Sequence, residues 1–134
     1  MARILVIEDN DMMRDMVTTT LTLAGHIVAS ACNGAEGVKK FRYEPADIVI
    51  TDMVMPDRDG IETLITLRRE YADVPIIAMS GLSSHSPTYL ALAARLGARR
   101  TLAKPFPVAD LLRAIDEVLR ESPPAEPTEE PGKS

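Results

Sequence analysis

Short, unbroken apolar runs alternate along this chain with longer stretches in which apolar residues recur at helical spacing. Ile4-Leu5-Val6-Ile7, Ile48-Val49-Ile50 and Ile76-Ile77-Ala78-Met79 are too short for buried helices, and they lack the alternation of a half-solvated strand. A strand apolar on both faces needs cover on both, which a parallel sheet between two helical layers supplies. Five strands are expected, near Arg3–Ile7, Ile27–Ala31, Asp47–Thr51, from Val74-Pro75 onward, and at Thr101–Ala103. Five helices alternate with them, and right-handed crossovers put helices on both faces, giving a doubly wound α/β fold.

Helix ends and faces follow from caps and spacing. Asn10 or Asp11 can cap the first helix, with Met13, Met16, Val17, Thr20, Leu21 and Ala24 inward and Gly25 closing it. Asn33 can cap the second, which carries Ala35, Val38 and Phe41 but is weakened by Gly34 and Gly37. The third presents Ile61, Leu64, Ile65 and Leu67, with Arg68, Arg69 and Glu70 facing water. A fourth starts near Pro87 with Tyr89, Leu92, Ala93 and Leu96 inward, and a fifth presents Val108, Leu111, Leu112, Ile115, Val118 and Leu119.

The chain of 134 residues is long enough for one domain with a sizeable core, which must be aliphatic because only two Phe, three Tyr and no Trp are present. The domain is expected over residues 1–121, and the Pro- and Glu-rich stretch 122–134 is expected to be a disordered tail. Removing residues 121–134, which hold four acids and one base, from totals of 20 and 15 leaves 16 acids and 14 bases. A body so close to neutral argues against direct nucleic-acid binding. Cys32 is alone and is read as a small buried residue in a reducing compartment, and no apolar run is long enough for a membrane span. A cytoplasmic protein is expected.

Four of the five strands end in a reactive group. Ile7 runs into Glu8-Asp9, Thr51 into Asp52, Met79 into Ser80 and Ala103 into Lys104-Pro105. In a doubly wound sheet, ligands bind outside the carboxyl ends of the strands, so these groups share one edge. A lone Asp after a strand is more often a turn residue than a nucleophile, and Glu8-Asp9 alone would suit a helix N-terminus. Together they permit more. Converging carboxylates repel, and a hard divalent cation relieves the repulsion: magnesium, or manganese in its place, with Asp9 and Asp52 as direct ligands. Glu8 would act through water, and the backbone carbonyl of Val54 would be a third protein oxygen. A carboxylate beside such a cation and a lysine can attack a phosphoryl group, while Ser80 and Lys104 take phosphoryl oxygens.

Four motifs, Val6-Ile7-Glu8-Asp9, Thr51-Asp52-Met53-Val54-Met55-Pro56-Asp57-Arg58-Asp59-Gly60, Met79-Ser80-Gly81 and Lys104-Pro105-Phe106, occur in this order at strand ends. Over roughly residues 2–121 the chain resembles the receiver domains of two-component response regulators, and looks like a single-domain member similar to the chemotaxis regulator. The resemblance implies a flavodoxin-like sheet of order 2-1-3-4-5, with Asp52 as phosphoacceptor. It likewise implies Glu8 and Asp9 as the acidic pair, Ser80 as switch hydroxyl, Lys104 as the family's lysine and a cis peptide before Pro105. The partners implied are a histidine kinase or phosphotransfer protein and an unknown downstream protein. The chain would be a switch that assists its own phosphotransfer and dephosphorylation, not an enzyme, working through a face made by helix four, strand five and helix five. A phosphorelay shuttle or a non-switching adapter is the alternative.

The departures from the family pattern are informative. Thr101 stands where receivers commonly carry Tyr or Phe, three residues before the lysine, so a swinging aromatic cannot report phosphorylation. The Ser80–Lys104 interval is about two residues longer than in the chemotaxis protein. Pro107 replaces the usual cap of helix five, at a cost of up to about 1 kcal/mol. Val54 and Leu82 offer little help in placing a hydrolytic water, so a persistent phosphoryl group is expected. A dehalogenase-like phosphatase would need an acid two residues after the nucleophile, where Val54 stands. A flavin carrier would need a phosphate loop where Glu8-Asp9 would repel one. His26 and His85 are isolated and suggest no catalytic base.

Overall fold

A computed structural model describes residues 2–53, 59–81 and 86–121. Strands β1 (Arg3–Ile7), β2 (Ile27–Ala31), β3 (Ile48–Asp52), β4 (Ile76–Ser80) and β5 (Arg100–Ala103) alternate with helices α1 (Asp11–Leu23), α2 (Gly34–Tyr43), α3 (Asp59–Glu70), α4 (Ser86–Arg95) and α5 (Val108–Glu121). All strand pairs are parallel, in the order β2-β1-β3-β4-β5. The unbroken apolar runs map onto the inner strands. Every residue of β3 and β4 is buried, whereas the edge strands β2 and β5 alternate. The tail 122–134, Val54, Leu82 and His85 lie outside the described residues.

Side chains leave the sheet on both sides and make two aliphatic cores. Ile4, Val6, Ile48, Ile50, Ile77 and Met79 pack with Val17 and Leu21 of α1 and Leu111, Ile115 and Val118 of α5. Leu5, Ile7, Val49, Ile76 and Ala78 pack with Val38 and Phe41 of α2, Leu64 and Leu67 of α3 and Ala93 of α4. The odd and even residues of each strand therefore serve opposite layers.

Asn10 and Asn33 cap α1 and α2, their side chains accepting from the backbone N–H of Met13 and Glu36 at 2.8 Å. Gly37, expected to weaken α2, is what lets the helix lie on the sheet: a Cβ there would stand 2.4 Å from Ile7 Cδ1. Packing repays the propensity cost.

Several faces are narrower than the spacing suggested. Met16, Ala24, Ala35, Ile65, Leu92 and Val108 are exposed, because the sheet accepts only the central stripe of each helix. Cys32 is exposed too, since it lies one residue beyond β2, past the end of the core. Arg68 does not simply face water. Its Nη1 donates to the Ala72 carbonyl at 2.6 Å and its Nη2 to the Gly97 carbonyl at 3.0 Å, joining the exits of α3 and α4.

Candidate functional site: an acidic cluster at the carboxyl edge of the sheet

The ladder hydrogen bonds run past the strands and fix the residues at their tips. Glu8 N–H donates to Ala31 O at 3.0 Å, Met53 N–H to Met79 O at 2.7 Å and Lys104 N–H to Ser80 O at 2.7 Å. Glu8, Asp52, Ser80 and Lys104 thus stand on neighbouring strand ends at backbone precision. Asp52 closes β3 and Ser80 closes β4, and the Lys104–Pro105 peptide that follows β5 is cis.

One carboxylate oxygen from each of Glu8, Asp9 and Asp52 lies within 4.8 Å of the others. Glu8 and Asp52 are buried, and Asp9 is the most open of the three. Burying carboxylates this close together is costly without a compensating positive charge. Lys104 supplies one. Its Nζ lies 2.6 Å from Glu8 Oε1 and 3.5 Å from Asp52 Oδ2, with only 17% of the side chain exposed. The other Glu8 oxygen accepts from Asn10 N–H at 3.1 Å, so both oxygens of the most enclosed acid are engaged within the protein. The strand and the first turn of α1 share this residue.

A single ammonium does not balance three acids. The donor set is oxygen only, hard and anionic, with one open acid, and it fits a divalent cation of the magnesium class better than zinc, which favours thiolate and imidazole. Glu8, Asp9 and Asp52 are placed to coordinate such an ion. Ser80, fully buried, and Lys104 flank Asp52 from β4 and β5. The Val54 carbonyl lies outside the described residues. Thr101 sits on β5 opposite Ala78 with its side chain exposed. A groove of about 670 Å3 lies away from the acids, between β2 and α2 and bordered by Arg3, Ile27, Lys40 and Tyr43.

Two contacts at this edge were not legible in the sequence. The Glu8–Lys104 pair spans 96 positions, and no local pattern announces it. Gly60, at the start of α3, is pressed against the end of β3: a Cβ there would lie 2.3 Å from the Asp52 carbonyl oxygen and 2.5 Å from Met53 Cα. Asp59-Gly60 reads locally as a turn.

A doubly wound sheet with an acid triad and a lysine at its carboxyl edge suits phosphoryl acceptance, and comparison with known proteins narrows this to one family. Residues 4–116 match the response regulator receiver domain, and the chain belongs to that family. It is 36% identical over 118 residues to the chemotaxis protein CheY of Bacillus subtilis, covering 87% of this chain and 97% of that protein. It is 35% identical over 117 residues to the probable transcriptional regulator ycf27 of Cyanidium caldarium, covering 87% of this chain but 46% of that one. The chain thus spans about half the length of relatives of the second kind. A receiver domain from Clostridium thermocellum superposes with a TM-score of 0.84 at 29% identity, covering 90% of this chain and 96% of that one. Chemotaxis protein CheY4 of Vibrio cholerae does so with a TM-score of 0.78 at 31% identity, covering 89% and 99%. Receiver domains are phosphorylation switches of two-component systems, and they assist their own phosphotransfer and dephosphorylation. No helix among the described residues is long and apolar enough to cross a membrane.

Proposed function

We propose that Asp52 is the phosphoacceptor, receiving a phosphoryl group from a phosphohistidine on a histidine kinase or phosphotransfer protein. The observation that carries this reading is the convergence on Asp52 of two further acids and of Lys104, 3.5 Å away. An Asp52 carboxylate oxygen attacks phosphorus, the P–N bond breaks, and its electron pair leaves with the imidazole as an acyl phosphate forms. Such transfers need positioning and charge neutralisation more than covalent help. Lys104 Nζ and the Ser80 hydroxyl are the groups that would bind phosphoryl oxygens. Magnesium, when bound, would supply the remaining positive charge, and Asp9 and Asp52 would hold it directly with Glu8 acting through water.

The exposed Cys32 thiol and the phosphohistidine donor suit a reducing, cytoplasmic setting. The output surface is assigned to α4, β5 and α5, with an unidentified protein as its partner. Thr101 is the switch position, and its exposed side chain has no ring to bury. This favours a second reading, in which the chain passes phosphate on or acts as an adapter without a large change of shape. Partner binding with and without beryllofluoride, a phosphoryl mimic, separates the two readings. Equal binding in both states would favour the adapter.

A further inference from the structure

We propose that Arg14 is a positioning residue for the cation site, acting through the peptide unit that joins its two neighbouring acids. The proposal rests on the reading of Glu8, Asp9 and Asp52 as metal ligands. Arg14 lies on the first turns of α1 and is mostly covered, with 19% of its side chain exposed. Its Nη1 donates to the Glu8 carbonyl at 2.9 Å. That carbonyl belongs to the planar Glu8–Asp9 peptide, so one arm of the guanidinium holds the peptide plane whose reorientation about Glu8 ψ and Asp9 φ would swing the Asp9 carboxylate. The other arm is fixed by Asp11, whose Oδ1 accepts from Nη2 at 2.5 Å.

The tip of β1 is then held from four directions. Glu8 N–H is bound by Ala31 O, Glu8 Oε1 by Lys104, Glu8 Oε2 by Asn10 N–H and Glu8 O by Arg14. The first three fix Glu8. Of the four, the Arg14 contact alone bears on the carbonyl leading into Asp9, the most open acid of the cluster. Groups that orient metal ligands from behind commonly matter on the order of tenfold in metal affinity.

The sign of the effect separates this role from simple charge. Arg14 is a cation near an acidic cluster, and by Coulomb's law its neutralisation should tighten binding of a divalent cation. Positioning demands the opposite. Magnesium is titrated calorimetrically into the parent chain, Arg14→Met and Arg14→Lys, well below each unfolding temperature. Arg42→Met, which breaks a remote ion pair with Glu70, is the stability control.

The expected result is that Arg14→Met binds magnesium on the order of tenfold more weakly, while Arg42→Met binds as the parent does. Equal or tighter binding by Arg14→Met overturns the proposal. Should that variant not fold, Arg14→Lys is judged by the same rule, since it keeps the charge and loses the fork: weaker binding supports the role and unchanged binding overturns it. A parent chain that takes up no magnesium overturns the metal reading itself, and this proposal with it.

Discussion

Gly60 shows how closely the site depends on single atoms. Its Cα lies against the backbone of Asp52 and Met53, and backbone atoms cannot rotate away as a side chain can. Gly60→Ala is expected to cost about 1–3 kcal/mol of stability through overpacking. It should also slow labelling by acetyl phosphate, because β3 must shift and carry the Asp52 carboxylate with it. Thermal unfolding and a labelling time course check the two effects separately.

His26 makes a different residue-scale prediction. Its Nδ1 accepts from Ala2 N–H at 3.1 Å, a bond only the unprotonated nitrogen can make. Burial, and then the nearby N-terminal amine, lower its pKa below the ordinary 6.5, with Asp116 opposing. A base whose folded pKa is depressed contributes stability above its unfolded pKa and loses it as pH falls toward the folded value. Stability should therefore decline below about pH 6.5, and His26→Gln should flatten that slope in urea titrations at stepped pH.

At the scale of elements, apolar runs revealed the strands because a sheet buried on both faces leaves no room for polar residues. The caps were legible for the same local reason: Asn10 and Asn33 satisfy backbone N–H groups within three residues. Asn33→Ala is expected to destabilise by about 1 kcal/mol, measured by chemical denaturation. Arg68 was not legible, since an arginine on the flank of a helix looks solvated until the neighbouring helix is in place.

Its bridge ties α3 to the turn after α4, where Gly97 adopts a φ of 109° and leaves Arg68 room. Burial lowers the Arg68 pKa, and its Nε has no partner among the described residues. This arginine is therefore held by two carbonyls at some desolvation cost. Arg68→Ala should cost about 1–2 kcal/mol and speed amide exchange around residues 97 and 98. The Arg100 pairs with Glu117 and Glu121 are more open to solvent, and Glu121→Gln should change stability by less than about 1 kcal/mol.

At the scale of the whole molecule, sheet order and crossovers bring residues 8, 9, 52, 80 and 104 to one edge, and the motifs at the strand ends were enough to expect it. What the sequence could not carry was how the groups divide the work there. Glu8 is as much the partner of Lys104 as a candidate for the cation, and Arg14 reaches the same strand tip from α1. Such contacts arise between segments distant in the chain, or through backbone atoms, which have no residue identity to read.

Acceptance of phosphate by Asp52, with the help of its acidic neighbours and Lys104, can be measured on the intact chain. Intact mass measured after incubation with acetyl phosphate and magnesium tests it most directly. One added phosphoryl group is expected on the parent chain, lost when magnesium is chelated beforehand and lost in Asp52→Ala. No added phosphoryl group on the parent, or undiminished labelling of Asp52→Ala, would contradict it.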